Sequence, residues 1–121
     1  MENQKLVQDY VSGWKEGNPE KILSTLSKDC VIIESHGPTY KGKKITSDWI
    51  SEWIYHGNSV DRWDITSFFG IDNVVFIEWI FECTFEKEKH YLEGISVIKI
   101  KENKICYIRE YRTTKKRFLY K

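Results

Sequence analysis

The sequence predicts an α+β fold in which three helices from the N-terminal half pack in the concave face of a strongly curved, mostly antiparallel sheet. Apolar residues recur at helical spacings early in the chain and at period two late in it. The connections between the late segments are too short for crossover helices, so those strands run antiparallel. Aromatic residues make up 15% of the 121 residues and include five Trp. A curved sheet wrapped around helices, a cone-shaped α+β barrel closed at one end and open at the other, buries that many rings from both kinds of element.

Leu6, Val7, Tyr10, Val11 and Trp14 define a first amphipathic helix that ends near Gly17. "NPEKILSTL" opens a second, short one: Asn18 caps it, Pro19 fits its first turn, and Ile22, Leu23 and Leu26 form its buried face. "CVIIES" reads as a strand closed by "HGP". After Gly42 a third helix presents Ile45, Trp49, Trp53 and Ile54 as its stripe, and Gly57 ends it. Four strand-like segments follow, "VDRWDITSFFG", "NVVFIEWIFECTF", "HYLEGISVIKIK" and "KICYIREYRTT", with turns at Gly70 to Asn73, Glu86 to Lys89 and Glu102 to Asn103.

One domain over residues 1–121 accommodates all of this, without linkers or repeats. The net charge of +1 gives no general nucleic-acid footprint, and the basic end "TTKKRFLYK" reads as a solvated tail. No apolar run approaches the roughly 20 residues that span a bilayer, and "MENQKLVQDY" lacks the apolar centre of a signal peptide, so a cytoplasmic location is expected. Cys30, Cys83 and Cys106 are widely spaced in strand-like runs and read as buried free thiols. His36, His56 and His90 are equally scattered, so no local metal pattern forms. P-loop, G-x-G-x-x-G and G-x-S-x-G motifs are absent from the sequence.

Glu34 stands out because strand alternation puts it on the face of Ile32, together with His36. A carboxylate held in an apolar cavity becomes a better proton acceptor near neutral pH. Tyr10 lies on the buried helical stripe, where its phenol needs a partner. Trp14, Trp49, Trp53, Trp63 and Trp79 are either core or walls of a ligand pocket. Glu78 and Glu82 alternate with the apolar set Ile77, Trp79, Phe81, Cys83 and Phe85, so they belong on the other face of the sheet. In "CYIREYR", Ile108 and Glu110 share one face while Arg109 and Tyr111 share the other; the local pattern does not decide which is inner.

This order of elements resembles the nuclear transport factor 2-like superfamily, and within it the SnoaL-like and ketosteroid isomerase-like proteins. The resemblance rests on "VQDYVSGWKEGNPEKILSTLSKDCVIIES", Gly42, "LEGISVIKIKENKI" and the closing "IREY". It implies a conical pocket and a homodimer formed through the outer sheet face. It also implies roles: Tyr10 in the place of the isomerase oxyanion-hole tyrosine, Glu34 in that of the general base, and Ser96 in that of the second oxyanion donor. Serine there is a departure, since a hydroxyl is a poorer acid than a neutral carboxyl. In the epoxide hydrolase pattern Glu110 resembles the acid/base carboxylate, while Ser96 and Gly94 stand where that pattern needs Asp and Arg, so no complete hydrolase triad is expected.

The expected function is cofactor-free proton transfer on a small apolar molecule, an isomerase, cyclase or lyase step. Glu34, Tyr10, Ser96 and Glu110 carry the chemistry, and Trp14, His36, Trp49, Trp53 and Trp79 contact the ligand. The alternative is a non-catalytic ligand-binding or dimerisation domain. No metal, nucleic acid or membrane partner is expected.

Overall fold

The computed structural model describes residues 2–121. Its elements are α1 (Glu2–Glu16), α2 (Pro19–Ser24), β1 (Leu26–Ile33), β2 (Thr39–Lys41), α3 (Lys43–Tyr55), β3 (Ser59–Ile71), β4 (Val74–Phe85), β5 (Glu88–Lys101) and β6 (Lys104–Arg112). The six strands form one sheet in the order β2-β1-β6-β5-β4-β3. All neighbours are antiparallel except β1 and β6. The sheet stays open, with β2 and β3 as its edges, so the cone is a wrapped sheet and not a closed barrel.

α1 buries Val7, Tyr10, Val11, Gly13 and Trp14, the face its spacing predicts. Gly13 lets α2 come close: a Cβ there would lie 2.8 Å from Ile22 Cγ1 and 2.9 Å from the Ile22 backbone nitrogen. α2 starts as predicted, with Asn18 Oδ1 accepting from the Lys21 N–H at 3.1 Å and Pro19 in the first turn.

α3 differs from the expected stripe. Ile45 is half exposed, and the fully buried positions are Thr46 and Ile50, with Trp49 and Trp53 partly buried beside them. The inner face is thus turned by one residue. Thr46 tolerates burial because its hydroxyl donates to the Gly42 carbonyl at 2.9 Å, which lets the small side chain sit against Cys30.

The hairpin at Glu86–Lys87 is tighter than the sequence implies, whereas the one at Glu102–Asn103 turns where expected. Glu86–Lys87 and Glu102–Asn103 all have positive φ, the pattern of two-residue type I′ turns, without a glycine in either. Gly70 lies inside β3, and that hairpin turns at Asp72–Asn73. Cys30 and Cys83 are buried free thiols, whereas Cys106 is only partly buried.

Candidate functional site

Strand register arranges the inner face of the sheet in rows. Ile32, Ile108, Ile98 and Val75 are consecutive partners across β1, β6, β5 and β4, and none exceeds 1% exposure. This aliphatic row is a floor. Two residues along each strand, on the same face, come Glu110, Ser96 and Ile77, with Glu34 one residue past the last registered β1–β6 pair, Ile33 and Arg109. Arg112, Gly94, Trp79 and Ile65 form the next row, then Leu92, Phe81 and Trp63. The acidic residues therefore stand where aliphatic floor gives way to aromatic wall.

Above them opens a cavity of about 610 Å³, in the size range of small-molecule sites. Tyr10, Trp14, Trp49, Trp53, Trp63 and Trp79 line it together with both carboxylates. The rings brace one another: Tyr40 stacks on Trp49 at 4.0 Å, Trp14 meets Trp49 at 5.0 Å, and Trp63 meets Phe81 edge-on at 5.3 Å.

Glu34 directly follows the last residue of β1, and Glu110 lies on β6, the parallel neighbour of β1. Glu110 is partly buried and lines the cavity. Burial, and then the charge of Glu34, push its carboxyl up to about 8. Burial also raises Glu34, but two contacts pull it back: the Tyr40 hydroxyl donates to Oε1 at 2.7 Å, and His36 lies nearby. Burial thus raises both carboxyls, while the contacts with Tyr40 and His36 favour the ionised form of Glu34.

Tyr10 is buried, and its phenol is held well above the ordinary range by burial, then by Glu110, with a smaller push from Glu34. The Trp14 indole near it lowers the phenol in part, yet that N–H makes no hydrogen bond, and neither does the Trp63 N–H. Two buried donors lining the cavity are left without acceptors.

Ser96 departs from the expected placement. Although it shares the inner row, it is 1% exposed, does not line the cavity, and its Oγ accepts from Trp79 Nε1 at 2.8 Å. Gly94 makes this possible, since a Cβ there would lie 2.7 Å from the Trp79 ring. An indole thus fills the space above the two positions where the hydrolase pattern needs Asp and Arg.

Trp14, His36, Trp49, Trp53 and Trp79 all line the cavity. The three histidines, scattered in sequence, are exposed and all line the cavity, and His56 pairs with Glu52 at 3.0 Å. Glu78 and Glu82 face outward, bonded to Ser67 and Arg62. Glu110, left undecided by its local pattern, faces inward. Tyr40, the partner of Glu34, was not singled out by the sequence; the signal was a hairpin across "SHGP" that sets Tyr40 opposite Ile32.

An open sheet wrapped on helices around an acid-bearing cavity defines the nuclear transport factor 2-like pocket fold. The chain belongs to the SnoaL-like domain family, whose model matches residues 7–108. Similar solved structures include an LEH-like epoxide hydrolase from M. tuberculosis (TM-score 0.83, 13% identity, 93% of this chain and 83% of that one). A hypothetical protein with a ketosteroid isomerase-like fold from Catenulispora acidiphila, in complex with trimethylamine, gives 0.78 at 16% identity over 90% and 85%. A putative polyketide cyclase from Xanthomonas campestris gives 0.74 at 15% over 91% and 89%. At these identities the likeness is one of fold. No curated protein sequence matches the chain. Among the described residues no helix is long and apolar enough to cross a membrane, and no group of three or more His, Cys, Asp or Glu is arranged to hold a metal ion.

Proposed function

We infer that this protein catalyses cofactor-free proton transfer on a small, largely apolar carbonyl compound. The observation that carries the reading is the Glu34–Glu110 pair, two carboxyls raised by burial that line one aromatic cavity, one just past the end of β1 and the other on β6. Glu34 takes a proton from the carbon next to the carbonyl, and the C–H electron pair moves through the new C=C bond to the oxygen. That oxygen receives a hydrogen bond or the proton of Glu110, with the Tyr10 phenol as second donor. Returning the proton to a different carbon gives an isomer; expelling a β-substituent gives a lyase product. Tyr40 favours the ionised form of Glu34 and orients it. Ser96 has no part in this scheme, because its hydroxyl is held by Trp79 outside the cavity.

Partners are read from the same chemistry. The ligand is a compact molecule for aromatic walls, and trimethylamine, bound by the Catenulispora protein, is of that size. A homodimer through the outer sheet face is supported by Phe69 and Phe76, which pair with each other on that face and remain exposed, and by exposed Tyr111.

The test is exchange of α-protons for deuterium across a panel of enolisable ketones and β-dicarbonyls, followed by NMR, with wild type and Glu34→Gln. Wild type should accelerate exchange for at least one compound, and the amide should slow it by roughly 10²–10⁴-fold. Equal rates would remove Glu34 from the mechanism. Binding without exchange by either protein would favour a ligand-binding domain that performs no chemistry.

A further inference from the structure

We propose that the cavity recognises a small alkylated organic cation, an amine or quaternary ammonium, held by the Glu34–Glu110 pair below and by indole and phenyl rings around it. This goes beyond the proton-transfer reading and does not depend on it, since it concerns what is bound.

The base of the cavity is acidic, and among the described residues His36 is the one basic group that favours an ionised carboxyl there. Glu34 and Glu110 are adjacent, and Tyr10, the third acidic group there, is held up by both of them. Around the pair stand Tyr10 from α1, Tyr40 from β2 and Cys83 from β4, all neutral at pH 7. The basic lining residues are exposed: His36, His56 on α3 beside Glu52, His90 on β5, and Arg112 one inner-face position beyond Glu110 on β6. Arg112 is the only Lys or Arg among the described lining residues. Among the described residues no cation of the protein's own reaches the carboxylates by hydrogen bond or ion pair.

The walls specify the kind of cation. Trp14 and Trp53 meet at 88°, Trp63 and Phe81 at 90°, and Tyr10 and Trp63 at 73°, so rings stand perpendicular around the space. Aromatic faces attract a positive charge, Trp most strongly, and favour alkylated ammonium because its methyl groups need no hydrogen bonds. A hydrated metal ion requires a cage of oxygen ligands that the described residues do not form.

A bound cation favours the ionised form of Glu110, so binding expels its proton and affinity rises with pH up to the region near 8 where the free group titrates.

Calorimetric titration of the whole chain with choline and acetylcholine, against their neutral isosteres 3,3-dimethylbutanol and 3,3-dimethylbutyl acetate, tests the proposal. At pH 8.5 at least one cation should bind ten-fold or more tightly than its isostere. Repeating the titration at pH 7 in buffers of different ionisation enthalpy should show proton release. Glu110→Gln should abolish that release, and Glu34→Gln should reduce the cation's advantage at least three-fold, with both variants checked for folding by circular dichroism. Equal affinity for cation and isostere, no proton release, or no binding of either cation at millimolar concentration would each overturn the proposal. None of these results bears on deuterium exchange, so the catalytic reading stands or falls separately.

Discussion

The two ends of the interior are built from different materials. At the closed end Ile22, Leu26, Ile98, Ile105 and Ile108 are almost wholly buried aliphatics without a polar side-chain atom. At the open end, large rings leave space between them, two carboxyls share one site, and two indole N–H groups lack acceptors. Branched aliphatic side chains fill space to near crystal density, whereas an open cavity and unpaired polar groups give stability away. The comparison teaches that the closed end supplies folding free energy and the open end spends it on an electrostatic arrangement that water would erase.

Substitutions at each end sharpen this contrast. The largest effect is expected for Ile22→Ala at the closed end: a loss of about 2–5 kcal/mol in denaturant unfolding, with ligand affinity of the folded protein unchanged. Glu110→Gln at the open end should do the reverse. The folded carboxyl titrates near 8 against an ordinary 4.5, so the folded state holds an extra proton between those values. This group's contribution is therefore fully present below 4.5 and is lost as pH rises toward 8. The variant should gain roughly 4 kcal/mol at pH 8 and little at pH 4.5, as melting curves at the two pH values would reveal. A gain that did not depend on pH would break the electrostatic account.

Smaller effects carry informative signs. Gly13→Ala should destabilise by about 1–3 kcal/mol despite the better helix propensity of alanine, because its Cβ meets the backbone of α2. Lys87→Gly, in the hairpin at the open end, should stabilise by about 1 kcal/mol, since Lys87 holds a φ of 69° that suits glycine. Chemical unfolding of the two variants would test both signs.

Residues legible in the sequence were those whose placement depends on local period. Alternation alone set Glu34 with Ile32, and α1 displayed Tyr10 and Trp14. What escaped depends on register between distant strands. Tyr40 reaches Glu34 only through the β1–β2 hairpin, Ser96 is captured by an indole one strand away, and Glu110 becomes inward when β6 docks beside β1. Within the α3 stripe only Ile45 was misplaced, Trp49, Trp53 and Ile54 packing against the core: a threonine with its hydroxyl satisfied by the helix backbone can be buried as readily as an isoleucine.

The parallel pairing of β1 with β6 also governs assembly. Ile32 waits for Ile108, 76 positions later in the chain (108 − 32), so the segment carrying Glu34 has no partner on that side until the final hairpin forms. Such long loop closures slow folding. During synthesis the helices and the β3–β4–β5 meander can form first, and the acidic pair comes into being only when the last strand slots between β1 and β5. The two carboxyls are therefore brought together only by the pairing of β6 with β1, the strand pairing of greatest sequence separation in the sheet.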